Sequence, residues 1–155
     1  MRYFLFILSM IILTSVGFAQ PNSLKGLDTA KFVVDLNQGN AKKLKTRIGL
    51  ILETMDNITE HGTKIDVVVA VRGGASNFMT INDDHIDEDE GKIKAQISNL
   101  TSELAKRGVK LEQCAVALRF LKIDAKEVQP KFKVVQNGYV SLIGYQNKGY
   151  AVVVK

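Results

Sequence analysis

Apolar residues recur along this chain in two alternating rhythms. Short runs rich in valine and isoleucine, at 31–36 and 64–71, read as strands. Between and after them lie longer stretches in which apolar residues return every three or four positions, as on one face of a helix. The first such stretch carries Ala41, Leu44, Ile48, Ile51, Leu52, Met55 and Ile58 and is closed by Gly62. The second carries Ile93, Ile97, Leu100 and Leu104 and is closed by Gly108. Further strands are expected at 109–113, 131–135 and 150–154, with helices at 115–121 and 139–146 and a short helix at 77–81. Four consecutive apolar residues, Val67 to Ala70, extended by Val71, suit a strand covered on both faces. Strict alternation of strand and helix predicts an α/β fold: a three-layer α/β/α domain around a mostly parallel sheet of about five strands.

The first residues follow another pattern. Met1-Arg2 gives a positive start, residues 3–16 are almost all apolar, and Gly17-Phe18-Ala19 places small residues where a signal peptidase cuts. The apolar run falls short of the roughly 20 residues that span a bilayer. The expectation is a signal peptide at 1–19, a single domain at 20–155, export to the periplasm or the medium, and no stable membrane insertion after cleavage. No cysteine follows the apolar run to carry a lipid.

Charge adds little. The 155 residues hold 21 basic and 16 acidic side chains; loss of Arg2 with the leader leaves a net charge of +4. The charges are scattered, and no basic run interleaved with aromatics suggests nucleic acid. The chain lacks a Gly-x-Ser-x-Gly elbow, a His-Glu-x-x-His pair, a phosphate loop and a dinucleotide fingerprint, so no cofactor is expected.

Three features carry candidate chemistry. Cys114 is the single cysteine and should stand where a strand hands over to a helix. A helix N-terminus lowers a thiol's pKa, and ligands collect at the carboxyl ends of parallel strands. One cysteine forms no internal disulfide, and an unpaired thiol in an exported protein implies an intermolecular bond or a reactive group. The opposing reading is a buried cysteine acting as a small hydrophobe. Arg72-Gly73-Gly74 ends the second strand as a ligand-binding loop would, with successive N–H groups able to cradle an anion; a plain tight turn is the alternative. The acidic loop at 82–90 offers Asp83, Asp84, Asp87 and Asp89 as oxygen donors, but its spacing is not that of an EF-hand, and a solvated loop is the expectation. His61 reads as a helix-end residue, and His85 alone makes no metal site. The sequons at Asn57 and Asn99 fall inside helical stripes.

The segment from Lys133 to Lys155, Lys-Val-Val-Gln-Asn-Gly-Tyr-Val-Ser-Leu-Ile-Gly-Tyr-Gln-Asn-Lys-Gly-Tyr-Ala-Val-Val-Val-Lys, resembles the carboxyl end of DsrE/DsrF-like proteins. There a Val-Val-x-(Ser/Asn)-Gly-Val turn begins a helix, and Leu-Gln-x-x-Gly-Tyr-Ala leads into the last strand. Leu104 to Cys114 resembles the family's Leu-x-Lys-x-Gly-Val-x-Leu-x-x-Cys stretch. After the cysteine, Ala115-Val116-Ala117-Leu118 stands where members often have Gly-x-Ser/Thr-Leu. The resemblance implies a small α/β domain that forms trimers or hexamers. It also implies a persulfide carried on Cys114 and exchanged with a thiol-bearing donor or acceptor protein. The alternative is a non-catalytic oligomeric module that binds a small ligand or a protein, with Cys114 structural.

Overall fold

The computed structural model describes residues 22–154. The expected leader at 1–19 lies outside the described residues. Five strands form one sheet: β1 (Thr29–Leu36), β2 (Lys64–Val71), β3 (Lys110–Cys114), β4 (Lys133–Val135) and β5 (Ala151–Val154). Their order across the sheet is β4-β3-β2-β1-β5, and every neighbouring pair is parallel. The connections run through α1 (Ala41–Glu60), α2 (Gly91–Lys106), α3 (Ala115–Leu121) and α4 (Gly138–Asn147).

The order dictates which helix covers which face. A crossover between parallel strands is right-handed almost without exception. The steps β1 to β2, β2 to β3 and β3 to β4 all move the same way across the sheet, so α1, α2 and α3 share a face. The step from β4 to β5 returns across the whole sheet, so α4 takes the opposite face. Core packing agrees. Phe32, Val34 and Leu36 of β1 and Val67, Val69 and Val71 of β2 pack with Leu44, Ile48, Met55, Ile97, Leu104 and Leu118. The alternate residues Val33, Val68 and Ala70 pack with Leu142, Tyr145 and Tyr150 instead. The three-layer α/β/α architecture follows, with three helices on one side and one on the other.

The helix starts have local causes. Asn40 caps α1 by accepting from Lys43 N–H at 3.0 Å, and Asn137 caps α4 by accepting from Tyr139 N–H at 2.9 Å. The glycines expected to close α1 and α2, Gly62 and Gly108, both hold positive φ just past the helix end. His61 stands at the C-cap of α1.

Several boundaries differ from expectation. The short helix expected at 77–81 is a 3₁₀ helix over Gly73–Met79, so Arg72 caps a helical turn instead of opening a free loop. Its start is drawn back by contact with the turn after β1: a Cβ on Gly74 would lie 2.7 Å from the Cα of Gly39. The two backbones touch there, which requires glycine at position 74 and leaves little room for a side chain at position 39. β3 extends through Cys114, which was expected one residue past the strand, because Cys114 still pairs with Val135. β4 begins at Lys133, two residues later than expected, since its ladder meets only the last three residues of β3. The acidic loop contains a 3₁₀ turn at Glu88–Glu90 that feeds straight into α2.

Candidate functional site

The helices that follow β3 and β4 leave the sheet on opposite faces. The gap between these adjacent strand ends is therefore a topological switch point, where open α/β sheets form their ligand crevices. Cys114 ends β3 at this gap and Gly138 opens α4 across it. The N–H of Gly138 donates to Cys114 Sγ at 3.1 Å. It is the first N–H of a ten-residue helix, a group with no partner inside that helix and at the positive end of its dipole. A Cβ on Gly138 would lie 3.2 Å from Cys114 Cβ and 3.5 Å from Sγ, with Arg72 Cβ at 3.7 Å. Glycine is what lets the helix end approach the sulfur.

Arg72, at the end of the neighbouring strand β2, forms the third side. Its Nε donates to Asp35 Oδ1 at 2.6 Å and its Nη2 to Asp35 Oδ2 at 2.5 Å, a bidentate pair. The side chains are 18% and 6% exposed. Nη1 donates to Tyr139 Oη at 3.0 Å, and the guanidinium lies 4.4 Å from the centre of the Tyr139 ring. Hydrogen bonding to Asp35 raises the Arg72 pKa above its ordinary value, and the nearby Cys114 adds a smaller push the same way. Arg72 thus places a charged guanidinium, paired with Asp35, at the edge of the cavity that Cys114 borders.

Cys114 is 4% exposed. What it meets is a cavity of about 290 Å³ bounded by Arg72-Gly73-Gly74, by Val116, Ala117, Phe120 and Leu121 of α3, and by Asn137 and Tyr139. Phe120 stands exposed at its rim. A wider recess between α3 and α4 shares Val116 and Asn137 with it and brings in Arg119. The arrangement offers a small sulfur species a backbone donor on one side, a guanidinium nearby and largely apolar walls.

The residues singled out in the sequence, Cys114 and Arg72-Gly73-Gly74, thus border one cavity. Sequence reasoning missed Asp35, Gly138 and Tyr139. Asp35 had a signal, since a carboxylate inside the run Phe32-Val33-Val34-Asp35-Leu36 has to find a cation once buried. Gly138 and Tyr139 reach Cys114 and Arg72 because β4 pairs with β3, Val135 beside Cys114, and α4 starts three residues beyond that strand end.

The other candidates lie elsewhere. His85 Nε2 pairs with Glu127 Oε2 at 2.5 Å, and this contact, first among several, lowers the Glu127 pKa. Asp83 pairs with Lys94, and Asp84 accepts from Asn82 Nδ2. Among the described residues no group of three or more His, Cys, Asp or Glu side chains is placed to hold a metal ion. Neither histidine lines the Cys114 cavity. No helix among the described residues is long and apolar enough to cross a membrane.

A family model described as the DsrE/DsrF-like family matches residues 11–154. The chain belongs to the DsrE/DsrF-like family. A protein from Aquifex aeolicus (strain VF5) described as uncharacterized is 28% identical over 153 residues, 98% of this chain; the chain spans 62% of that relative's length. Among solved structures, protein MTH1491 of unknown function from Methanobacterium thermoautotrophicum is similar, with a TM-score of 0.58 and 18% identity over 82% of this chain and 98% of that one. This likeness is one of fold. DsrE-like proteins are linked to sulfur relay, which gives the thiol at the switch point its context.

Proposed function

We propose that this protein carries sulfane sulfur as a persulfide on Cys114. The Cys114 thiolate attacks the outer sulfur of a small persulfide or polysulfide. A bond forms between Cys114 Sγ and that sulfur, the donor's sulfur–sulfur bond breaks, and the donor leaves as a thiolate. An acceptor thiolate then attacks the outer sulfur and releases the Cys114 thiolate, so neither step needs an oxidant or reductant. The single observation that carries the reading is the Gly138 N–H donated to Cys114 Sγ at the start of α4. It fixes the sulfur by a backbone hydrogen bond at the start of α4, facing the cavity where a donor would enter. Arg72 adds positive charge, and Gly73 and Gly74 line the space for the incoming sulfur anion. The small, largely apolar cavity favours a low-molecular-weight donor or a narrow thiol-bearing segment of a partner.

Intact mass tests it. After incubation with polysulfide the wild-type protein should gain the mass of one sulfur atom, lost again on reduction, and Cys114→Ser should gain nothing. Equal gain in both proteins would end the proposal.

A second reading rests on the 4% exposure of Cys114. In it the protein is an oligomeric binding module and the cysteine is packing. Export after cleavage at Ala19 and assembly into trimers or hexamers belong to both readings. Assembly draws support from Tyr139, Val140 and Ile143, which stand exposed on α4. Light scattering on purified protein tests assembly, and a monomer would count against it; N-terminal sequencing of the exported form tests cleavage.

A further inference from the structure

A second cavity, of about 490 Å³, lies between α2 and the segment leading into β4, on the face opposite α4. It shares no lining residue with the Cys114 cavity. Two lysines line it, and they differ in one respect. Lys94 is buried and neutralised: its Nζ lies 2.9 Å from Asp83 Oδ1, donates to Thr80 Oγ1 at 2.9 Å, and donates to the Asn82 carbonyl. Lys131 is half-buried and satisfied only by neutral oxygens. Its Nζ donates to Ser98 Oγ and the Ser98 carbonyl, both at 3.1 Å, and to Ser102 Oγ at 2.9 Å. None of the ion pairs among the described residues includes it.

A partly buried ammonium with hydrogen bonds but no counter-charge is an expensive arrangement. Burial holds the Lys131 amine below the ordinary lysine range. The surroundings are rigid. Gln129 donates to the Thr80 carbonyl at 3.0 Å and accepts from Ser98 Oγ at 3.0 Å, which fixes the serine beside Nζ. Ile81, Ala95 and Pro130 add apolar wall, and the Asp83 carboxylate that also lines the cavity is paired with Lys94.

We propose that this cavity binds a small oxyanion, a carboxylate or a phosphate-type group, with Lys131 as its counter-charge. One anion oxygen takes the place of a serine oxygen on Nζ, while the serine hydroxyls keep their own donor bonds, Ser98 to Gln129 and Ser102 to the Ser98 carbonyl. An organic body, where the ligand has one, lies against Ile81 and Pro130. The site is separate from the sulfur proposal and survives its failure.

The test is a titration of the full-length protein with acetate, inorganic phosphate and sulfate at constant ionic strength, followed by amide NMR. Saturable shifts centred on Ser98, Ser102 and Gln129 are expected. Lys131→Met should weaken them by about tenfold or more, the scale of one charge-assisted hydrogen bond. Lys131→Gln serves the same end if the methionine variant folds poorly, Lys131→Arg should retain binding, and Cys114→Ser should titrate as wild type. Preference for acetate identifies a carboxylate ligand, and preference for phosphate or sulfate identifies a tetrahedral one. Shifts that never saturate, or a Lys131 variant that titrates like wild type, would overturn the proposal.

Discussion

The two faces of the sheet are built for different tasks. The face under α1, α2 and α3 is mostly apolar, with Val34, Leu36, Val69 and Val71 packed against Leu44, Ile48 and Ile97 and the Gln113–Ser76 pair as a buried polar exception. The face under α4 buries carboxylates among its apolar residues. Asp35 holds Arg72, and Glu112 accepts from Tyr145 Oη at 2.9 Å. Asp66, only partly buried, accepts from the exposed Lys110 Nζ at 2.8 Å and from Tyr150 Oη at 2.6 Å. Cys114 belongs to this second face, since it alternates with Gln113, whose amide reaches Ser76 on the first. The larger apolar core lies on one side of the sheet, and the buried carboxylates of its strands, Asp35 and Glu112, lie on the other. Buried polar pairs stabilise less than well-packed aliphatics of the same volume, and their presence on one face points to a functional constraint there.

Substitutions can break this contrast. Leu44→Ala on the aliphatic face should destabilise the fold by about 3–5 kcal/mol through lost burial and a cavity; denaturant unfolding would measure it, and the folded variant should keep the reactivity of Cys114. Asp35→Asn should cost about 3 kcal/mol, because it strips a mostly buried guanidinium of its counter-charge. Unlike Leu44→Ala, it should also slow sulfur loading of the folded protein. A loss of stability with unchanged loading would make Asp35 purely structural.

Gly138→Ala sharpens the comparison at the site. Its new Cβ crowds Cys114 at 3.2 Å, so it should cost about 1–2 kcal/mol and alter the thiol's reaction rate beyond its effect on stability. Tyr145→Phe should cost about 1 kcal/mol at neutral pH, the scale of one buried hydrogen bond. Burial first, then the bond to Glu112, pushes the Tyr145 pKa up from 10.0 to about 12. The folded state therefore favours the protonated phenol. That contribution is complete below pH 10 and is lost as pH rises through about 12, so wild type should lose stability in that window faster than Tyr145→Phe. Ultraviolet titration of the phenols should show a late component that the variant lacks.

Much of the fold was legible because its signals are local. The valine runs of β1 and β2, the apolar stripes of α1 and α2 and the glycines past their ends each report on their own segment. The site was legible only in part for the same reason. Cys114 and Arg72 stand at strand ends that the pattern marks. The Gly138 donor comes from the far side of a crossover, and no periodicity announces which strand end a returning helix will meet. The start of the 3₁₀ helix after Arg72 was missed because its cause, the Gly39–Gly74 contact, joins two separate turns. Lys131 read as the first residue of a strand, and only the position of α2 makes it a cavity residue.

The central claim is that buried Cys114 is a working nucleophile. The most direct test is its rate of reaction with a small methanethiosulfonate at neutral pH, in the folded protein and in the protein unfolded by denaturant. The account predicts that the folded protein reacts faster, because the cavity seats a small reagent against a sulfur already held in place by the Gly138 N–H. A thiol silent in the folded state and reactive only after unfolding would contradict it and make Cys114 part of the packing.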